Sequence, residues 1–546
     1  MKMYGDQDKH DDVYGQLMND VVASVQSETI SEEAEHIRSA IHFYIKKWLD
    51  EVEEINPLFK VKELIGVGSY AEGTKILEPN EFDYLAVIDE FSKPGLLNID
   101  RDESNFYEGL VKVKVKDDDL KSRCSDLCKS GHLQCFQPIN FPGLGEHRFG
   151  HVFIEGFRKY AKKNELRWGP GTGSPTHWTG TINLPAVNKI SLLLEGADYT
   201  VPYVLIYFKY KGRQLTTDLS PAIRYFKPED CFNVKDCAGP VFAELVLSRE
   251  SLLLIGTQQE SDFKITVTEA EVEYMKSVMK PEHKTIYIFL KYVTKLYTDK
   301  AYAFFNPFTS YMLKTVCVHH DVYCIADKIS MRHCLESVID DLMTCAQQGY
   351  VISIVDKHIH IDSGRKHPQI QDYRTSMLTD MKNMCKLPQG IKTVDAFIEL
   401  IEYYVLNEKQ KRDKERNDRR QRYKESEDRF YENIQREVSK FTNMGFEKNE
   451  AESAMERALD DPELALLILK YEAERRKEKK KQIDSDVIPQ KQCSPTQALA
   501  NVPSIYCQNS TDTSVNLTDE STRDTYIQQS SSTPIMEELI YERQKP

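Results

Sequence analysis

No apolar run in this 546-residue chain approaches the roughly 20 residues that cross a bilayer. The opening MKMYGDQDKHDD also lacks the basic and apolar regions of a secretory signal peptide. A membrane role is therefore not expected, and the chain reads as cytoplasmic, with a nuclear location as a further option. Its 12 cysteines show no disulfide-framework spacing, in keeping with a reducing compartment. Net positive charge is missing as well: the formal charge of −14 sits badly with a protein that coats nucleic acid. The local exception is FRKYAKKNELRWG, where Arg158, Lys159, Lys162, Lys163 and Arg167 gather between Phe157 and Gly169. Such a run is either a solvated helix face or a nucleic-acid contact.

What is present suffices for two or three packed domains, with 40% hydrophobic residues over this length. From Ser31 to Val52, apolar residues including Ala34, Ile37, Ile41, Ile45, Trp48 and Leu49 recur at helical spacing and predict a long amphipathic helix. Strand-like runs follow at Val61–Ile65, Phe82–Ile88, Leu110–Lys116, Ile190–Leu194 and Tyr203–Phe208, between loops such as GPGTGSPTHWTG. From about Phe242 to Asn407 the pattern is mainly helical. Composition changes at Glu408, where EKQKRDKERNDRRQRYKESED has almost no apolar residues and can be a solvated helix or a flexible spacer. After it, VSKFTNMGFEKNEAESAMERALDDPELALLILKY regains a compact apolar pattern. From Arg475 the chain turns to RRKEKKK, either a basic patch or the end of a solvated helix, and then to a Ser/Thr/Gln/Asn-rich tail expected to be disordered.

The stretch that carries chemistry is GVGSYAEGTKILEPNEFDYLAVID, from Gly66 to Asp89. Gly68 and Ser69 follow an apolar strand, so backbone N–H groups and a hydroxyl can face a phosphate where no Cβ obstructs the approach. Glu81 and Asp83 stand two apart in EFDYLAVI; strand alternation puts both carboxylates on one face and Phe82 and Tyr84 on the other. Hard oxygen ligands so placed suit Mg²⁺ or Mn²⁺. Two metals need a further carboxylate from a later strand, and Asp218 in KGRQLTTDLSPAIR is the candidate.

Taken together, the gap-free run from Gly68 to Asp83 and the Asp218 segment resemble cyclic GMP-AMP synthase and its metazoan relatives, the cyclic GMP-AMP synthase-like receptors of the male-abnormal (Mab) family. IFLKYVTKLY (Ile288–Tyr297) and TSYMLKTVC (Thr309–Cys317) look like the signatures of that family's helical lobe. By this resemblance Lys291, Ser310 and Tyr311 would contact nucleotides, a lysine and a hydroxyl holding phosphates and a ring stacking on a base. The implied fold is a bilobal α/β nucleotidyltransferase, with a spine helix and catalytic lobe over residues 28–230 after a mobile N-terminus (1–27), and a helical lobe over 231–407. The implied activity is closure of two NTPs, such as ATP and GTP, into a cyclic dinucleotide by an innate immune sensor activated by double-stranded RNA or DNA. A catalytically silent scaffold of the same fold is the alternative.

Two departures stand out. Ala243–Ser248 reads AELVLS, so Glu244 and Val246 replace an arginine and a serine that position nucleotide in the vertebrate synthase. The stretch Thr266–Thr285 contains His283 but none of the cysteines of the vertebrate zinc loop, so no zinc requirement is expected there. Cys124, Cys128, His132 and Cys135 have ligand types that could close a zinc site, and Cys317, His319, His320 and Cys324 read as an ordinary helix. Beyond the charged linker (408–430), residues 431–474 resemble a ubiquitin-associated (UBA) domain of three short helices. There Gly445 would permit a turn presenting Met444 and Phe446 outward near Leu467 as a ubiquitin-binding patch, the other reading being a plain three-helix spacer. The tail, 475–546, completes the layout.

Overall fold

The computed structural model describes residues 4–101, 109–134, 137–138, 145–146, 148–164, 182–200, 203–231, 233, 237–257, 262–302, 307–324, 330–362, 368–386, 391, 393–458 and 461–486. It is a mixed α/β structure that packs internally as two units, Met1–Asp428 and Arg429–Pro546. Among the described residues no helix is long and apolar enough to cross a membrane.

The first unit is built on a twelve-stranded mixed sheet. Its longest strand, Arg213–Tyr225, runs antiparallel to Tyr203–Tyr210 and parallel to Glu81–Ile88, which pairs in turn with Val61–Val67. Alternation in Glu81–Ile88 separates two apolar layers. Phe82, Tyr84, Ala86 and Ile88 enter the main core, while Leu85 and Val87 join Ala222 and Leu253 in a smaller cluster on the opposite face. The expected boundary near 230 does not hold for the sheet, because Leu252–Gly256 pairs with Tyr225 and its neighbours and Asp262–Thr266 pairs with Leu252–Gly256. Short apolar strands inside a mainly helical stretch carry too little periodicity to be separated from it by sequence.

The long helix is found at Glu32–Ile55, started by Ser31, whose hydroxyl accepts the Ala34 N–H at 3.1 Å. Helix Arg148–Lys163 lies so close to it that a Cβ on Gly156 would stand 2.4 Å from a Val52 methyl. The N-terminal segment is not loose as expected: it is a helix, Tyr4–Gln26, that buries Tyr14, Leu17, Met18, Val21, Val22 and Val25. Their spacing is that of one helix face, masked in the sequence by the acidic residues around it.

Helix Val394–Asn443 runs through the charged segment at 408–430. It buries Phe397, Ile401 and Val405, and then Glu408, which accepts Arg412 at 2.6 Å and the Ser376 hydroxyl at 2.9 Å. The linker's first turns therefore belong to the first unit, held by polar contacts that a hydropathy pattern does not register. In the second unit Val438, Phe441, Ala451, Ala454, Met455, Ala458, Ala465 and Leu469 form a small separate core. It draws on the end of Val394–Asn443, on Lys448–Arg457 and on Pro462–Asp486. The last helix continues past 474, so the basic run from Arg475 is helical as far as Asp486. The rest of the expected tail, with Cys135, Arg167 and the GPGTGSPTHWTG loop, lies outside the described residues.

Candidate active site

The strand register decides which carboxylates meet. In the parallel pair, Asp218 sits opposite Asp83 and Thr216 opposite Glu81; in the antiparallel pair, Asp83 sits opposite Val67. Both aspartates thus share one sheet face at the point where Val67 hands over to the helical turn Gly68–Ala71. Gly68 has φ +70°, and a Cβ there would lie 2.1 Å from Asp83 Oδ2. Its missing side chain makes room for the Asp83 carboxylate as well as setting the turn. Below the turn, Ser69 C=O accepts the Thr74 N–H at 2.8 Å.

The electrostatics of the three carboxylates differ. Burial first, then the charges of Glu81 and Asp218, push Asp83 up to about 7. Burial and Glu81 likewise push Asp218 up to about 7. Burial would also raise Glu81, but Lys75, which donates to it at 2.8 Å, prevails with help from Lys291 and Lys295 and holds it below its usual range. Asp83 Oδ1 is buried without a hydrogen-bond partner. Two adjacent, mutually repelling carboxylates with an unsatisfied oxygen are a donor set that fits a hard divalent cation such as Mg²⁺ or Mn²⁺.

Lys291, on helix Pro281–Tyr297, reaches the same place. Its ammonium donates to Thr74 C=O at 3.3 Å and lies within the fields of Glu72, Glu81 and Asp83, while burial and Lys75 lower it to about 8. Ser310 and Tyr311 open helix Ser310–Tyr323, capped by the Thr309 hydroxyl. Ser310 is exposed and its carbonyl accepts the Tyr287 hydroxyl at 3.4 Å. The Tyr311 hydroxyl donates to Glu271 at 3.2 Å and its ring lies under the Lys314 ammonium at 4.9 Å, so this side chain is already engaged by protein. Val246 is a core residue and Glu244 an exposed one on helix Pro240–Ser248.

Sequence reasoning missed the buried pairing that joins these parts. Lys314 donates at 2.7 Å to both Glu72 and Glu271, and all three side chains are buried. Glu72 and Lys314 lie inside the two motifs that were singled out, GSYAEGTK and TSYMLKT, yet nothing in either motif says that they pair. Three cations of the basic strip are paired: Lys159 and Lys163 donate to Glu54, Lys163 also donates to Glu51, and Arg158 pairs with Glu155. Cys124 and Cys128 approach to 3.6 Å, but His132 turns to Asp100 at 3.2 Å. In the second unit Met444 and Leu467 are exposed, whereas Phe446 rests partly buried against the small core, so it does not point outward as expected. Gly445 adopts φ +96°.

No model of a known protein family matches the chain.

Proposed function

We propose that the first unit is a bilobal, metal-dependent nucleotidyltransferase that joins two NTPs and closes them into a cyclic dinucleotide, as expected for a cyclic GMP-AMP synthase-like innate immune sensor. The observation that carries this reading is the in-register pair Asp83 and Asp218 beside the Gly68 turn, with an unpartnered Asp83 oxygen. Glu81, Asp83 and Asp218 would hold Mg²⁺ or Mn²⁺. Bound there, such ions make a ribose hydroxyl more acidic and neutralise the departing pyrophosphate. The Gly68 and Ser69 turn and Lys291 hold the triphosphate, Lys291 as a cation whose charge Glu72, Glu81 and Asp83 support against burial. Ser310 and the Tyr311 ring border the nucleotide, and the buried Glu72–Lys314–Glu271 group sets their distance from the turn. An activating double-stranded RNA or DNA belongs to the same reading, but Lys159 and Lys163 are committed to Glu51 and Glu54 and so are poorly placed to dock it.

Incubating the full chain with four labelled NTPs and Mg²⁺ or Mn²⁺, with and without double-stranded RNA or DNA, tests the proposal. A cyclic product supports it. None under any condition turns the reading to a silent scaffold. For the second unit, exposed Met444 next to the Gly445 turn, together with exposed Leu467, favours a UBA-like module that binds ubiquitin through a small apolar patch.

A further inference from the structure

Helices Pro281–Tyr297 and Met331–Gln348 begin near the end of Ser310–Tyr323, and four ligating side chains converge there. The ligand atoms of His283, His320, Cys324 and Cys334 all lie within 4.8 Å of one another. His320 and Cys324 are one turn apart and share a face, while His283 and Cys334 each come from a first helical turn.

Two of the separations match those of a coordination sphere. His283 Nε2 stands 3.4 Å from Cys334 Sγ, and the two sulfurs stand 3.9 Å apart. A tetrahedron with metal–sulfur bonds of about 2.3 Å and metal–nitrogen bonds of about 2.0 Å has S···S edges of about 3.8 Å and N···S edges of about 3.5 Å. His320 Nε2 is buried and has no hydrogen-bond partner, as expected of a nitrogen whose lone pair awaits a metal. Behind His283, Asp321 Oδ1 lies 2.5 Å from Nδ1 and is itself fixed, the carboxylate accepting the Tyr274 hydroxyl at 2.6 Å and the Lys280 N–H at 3.3 Å. A carboxylate on Nδ1 selects the tautomer that turns the Nε2 lone pair to the cluster, the usual support for a metal-bound imidazole. Two thiolates would balance the charge of a divalent ion, which suits this part-buried place.

We propose that His283, His320, Cys324 and Cys334 form a closed, structural zinc(II) site. It clamps three helices, two of which present Lys291 and Ser310–Tyr311. It stands whether or not the chain transfers nucleotides. It also departs from the expectation of a zinc-free helical region, since His320, Cys324 and Cys334 all lie outside the Thr266–Thr285 stretch on which that expectation rested.

The test is metal content and spectroscopy of the reduced full-length chain offered zinc ions. One zinc per chain is expected, with X-ray absorption showing two sulfur and two nitrogen neighbours. Cys324→Ser combined with Cys334→Ser should lose the zinc, whereas Cys124→Ser combined with Cys128→Ser should keep it. If the first pair does not fold, cobalt(II) in the wild-type chain decides. Intense tetrahedral bands with thiolate-to-cobalt charge transfer support the site, and the weak spectrum of octahedral oxygen ligation overturns it. It is equally overturned by absence of zinc, by zinc that follows Cys124 and Cys128, or by a Cys324–Cys334 disulfide persisting under reducing conditions.

Discussion

Two groups of charge, each with a member between Gly66 and Asp89, are built on opposite terms. Glu72, Lys314 and Glu271 form a satisfied set: Lys314 gives both carboxylates a 2.7 Å bond, and their charges hold it well above its ordinary value although burial alone would lower it. Asp83 and Asp218 form an unsatisfied one, with like charges side by side, both carboxyls raised to about 7 and one oxygen with no partner. The contrast teaches that folding satisfies the first group and leaves the second with a deficit, which the proposed metal would meet. A fold tolerates such a deficit where function requires it and removes it elsewhere.

The sharpest way to break the comparison is to edit the unsatisfied group or the Glu81 carboxylate beside it. Asp83→Asn or Glu81→Gln keeps volume and removes a ligand charge, so product formation should fall about a thousandfold or more, in line with loss of metal-centred charge stabilisation. Wild-type turnover at saturating Mg²⁺ would show that the site is misplaced. Next comes the satisfied group. Lys314→Met strands two buried carboxylates and should cost about 3–5 kcal/mol in a urea melt, while Asp218→Asn in the metal-free chain should not destabilise it. Equal melts for Lys314→Met and wild type would remove the distinction.

Proton linkage sharpens it further. Unfolded aspartates release their protons near pH 4, and the folded pair retains them to about 7. Between these values the folded state holds more protons, so stability contributed at low pH is withdrawn as pH rises toward 7. The metal-free chain should therefore be less stable at pH 7.5 than at pH 5, by on the order of 2 kcal/mol for each aspartate. Added Mn²⁺ should restore the loss at pH 7.5 and do little at pH 5. A scanning-calorimetry series at both pH values, with and without Mn²⁺, measures this, and a metal effect independent of pH would contradict it.

The second unit supplies smaller effects. A chain ended at Asp428 should keep product formation, whereas one ended at Asn407 should be less stable by about 1–2 kcal/mol, because it loses Glu408 and its bonds to Arg412 and Ser376. Leu467→Ala should weaken ubiquitin binding by about 1 kcal/mol when the full chain is titrated into isotope-labelled ubiquitin. Phe446→Ala should instead loosen the small core against which that ring packs. Ubiquitin spectra that do not change at millimolar concentrations would make this unit a spacer.

Much of the architecture is legible in residue order. The helix begun by Ser31, the strand at Glu81–Ile88 and its two-faced alternation, and the three helices around Gly445 follow from periodicity, capping and turn chemistry, which act over a few residues. Residue order likewise placed Glu81 and Asp83 on one face and nominated Asp218. Only tertiary structure decided that the Asp218 strand runs parallel in a register that sets Asp218 beside Asp83, and that Gly68 yields its Cβ space to Asp83 Oδ2. It alone joined Glu72 to Lys314 across 242 positions, packed Tyr4–Gln26 as a helix, and brought His283 to Cys334. Those outcomes depend on which distant side chains share a volume from which water is excluded. A charge or ligand pairing of that kind leaves no local pattern, because its energy comes from burial and its geometry from elements far apart in the chain.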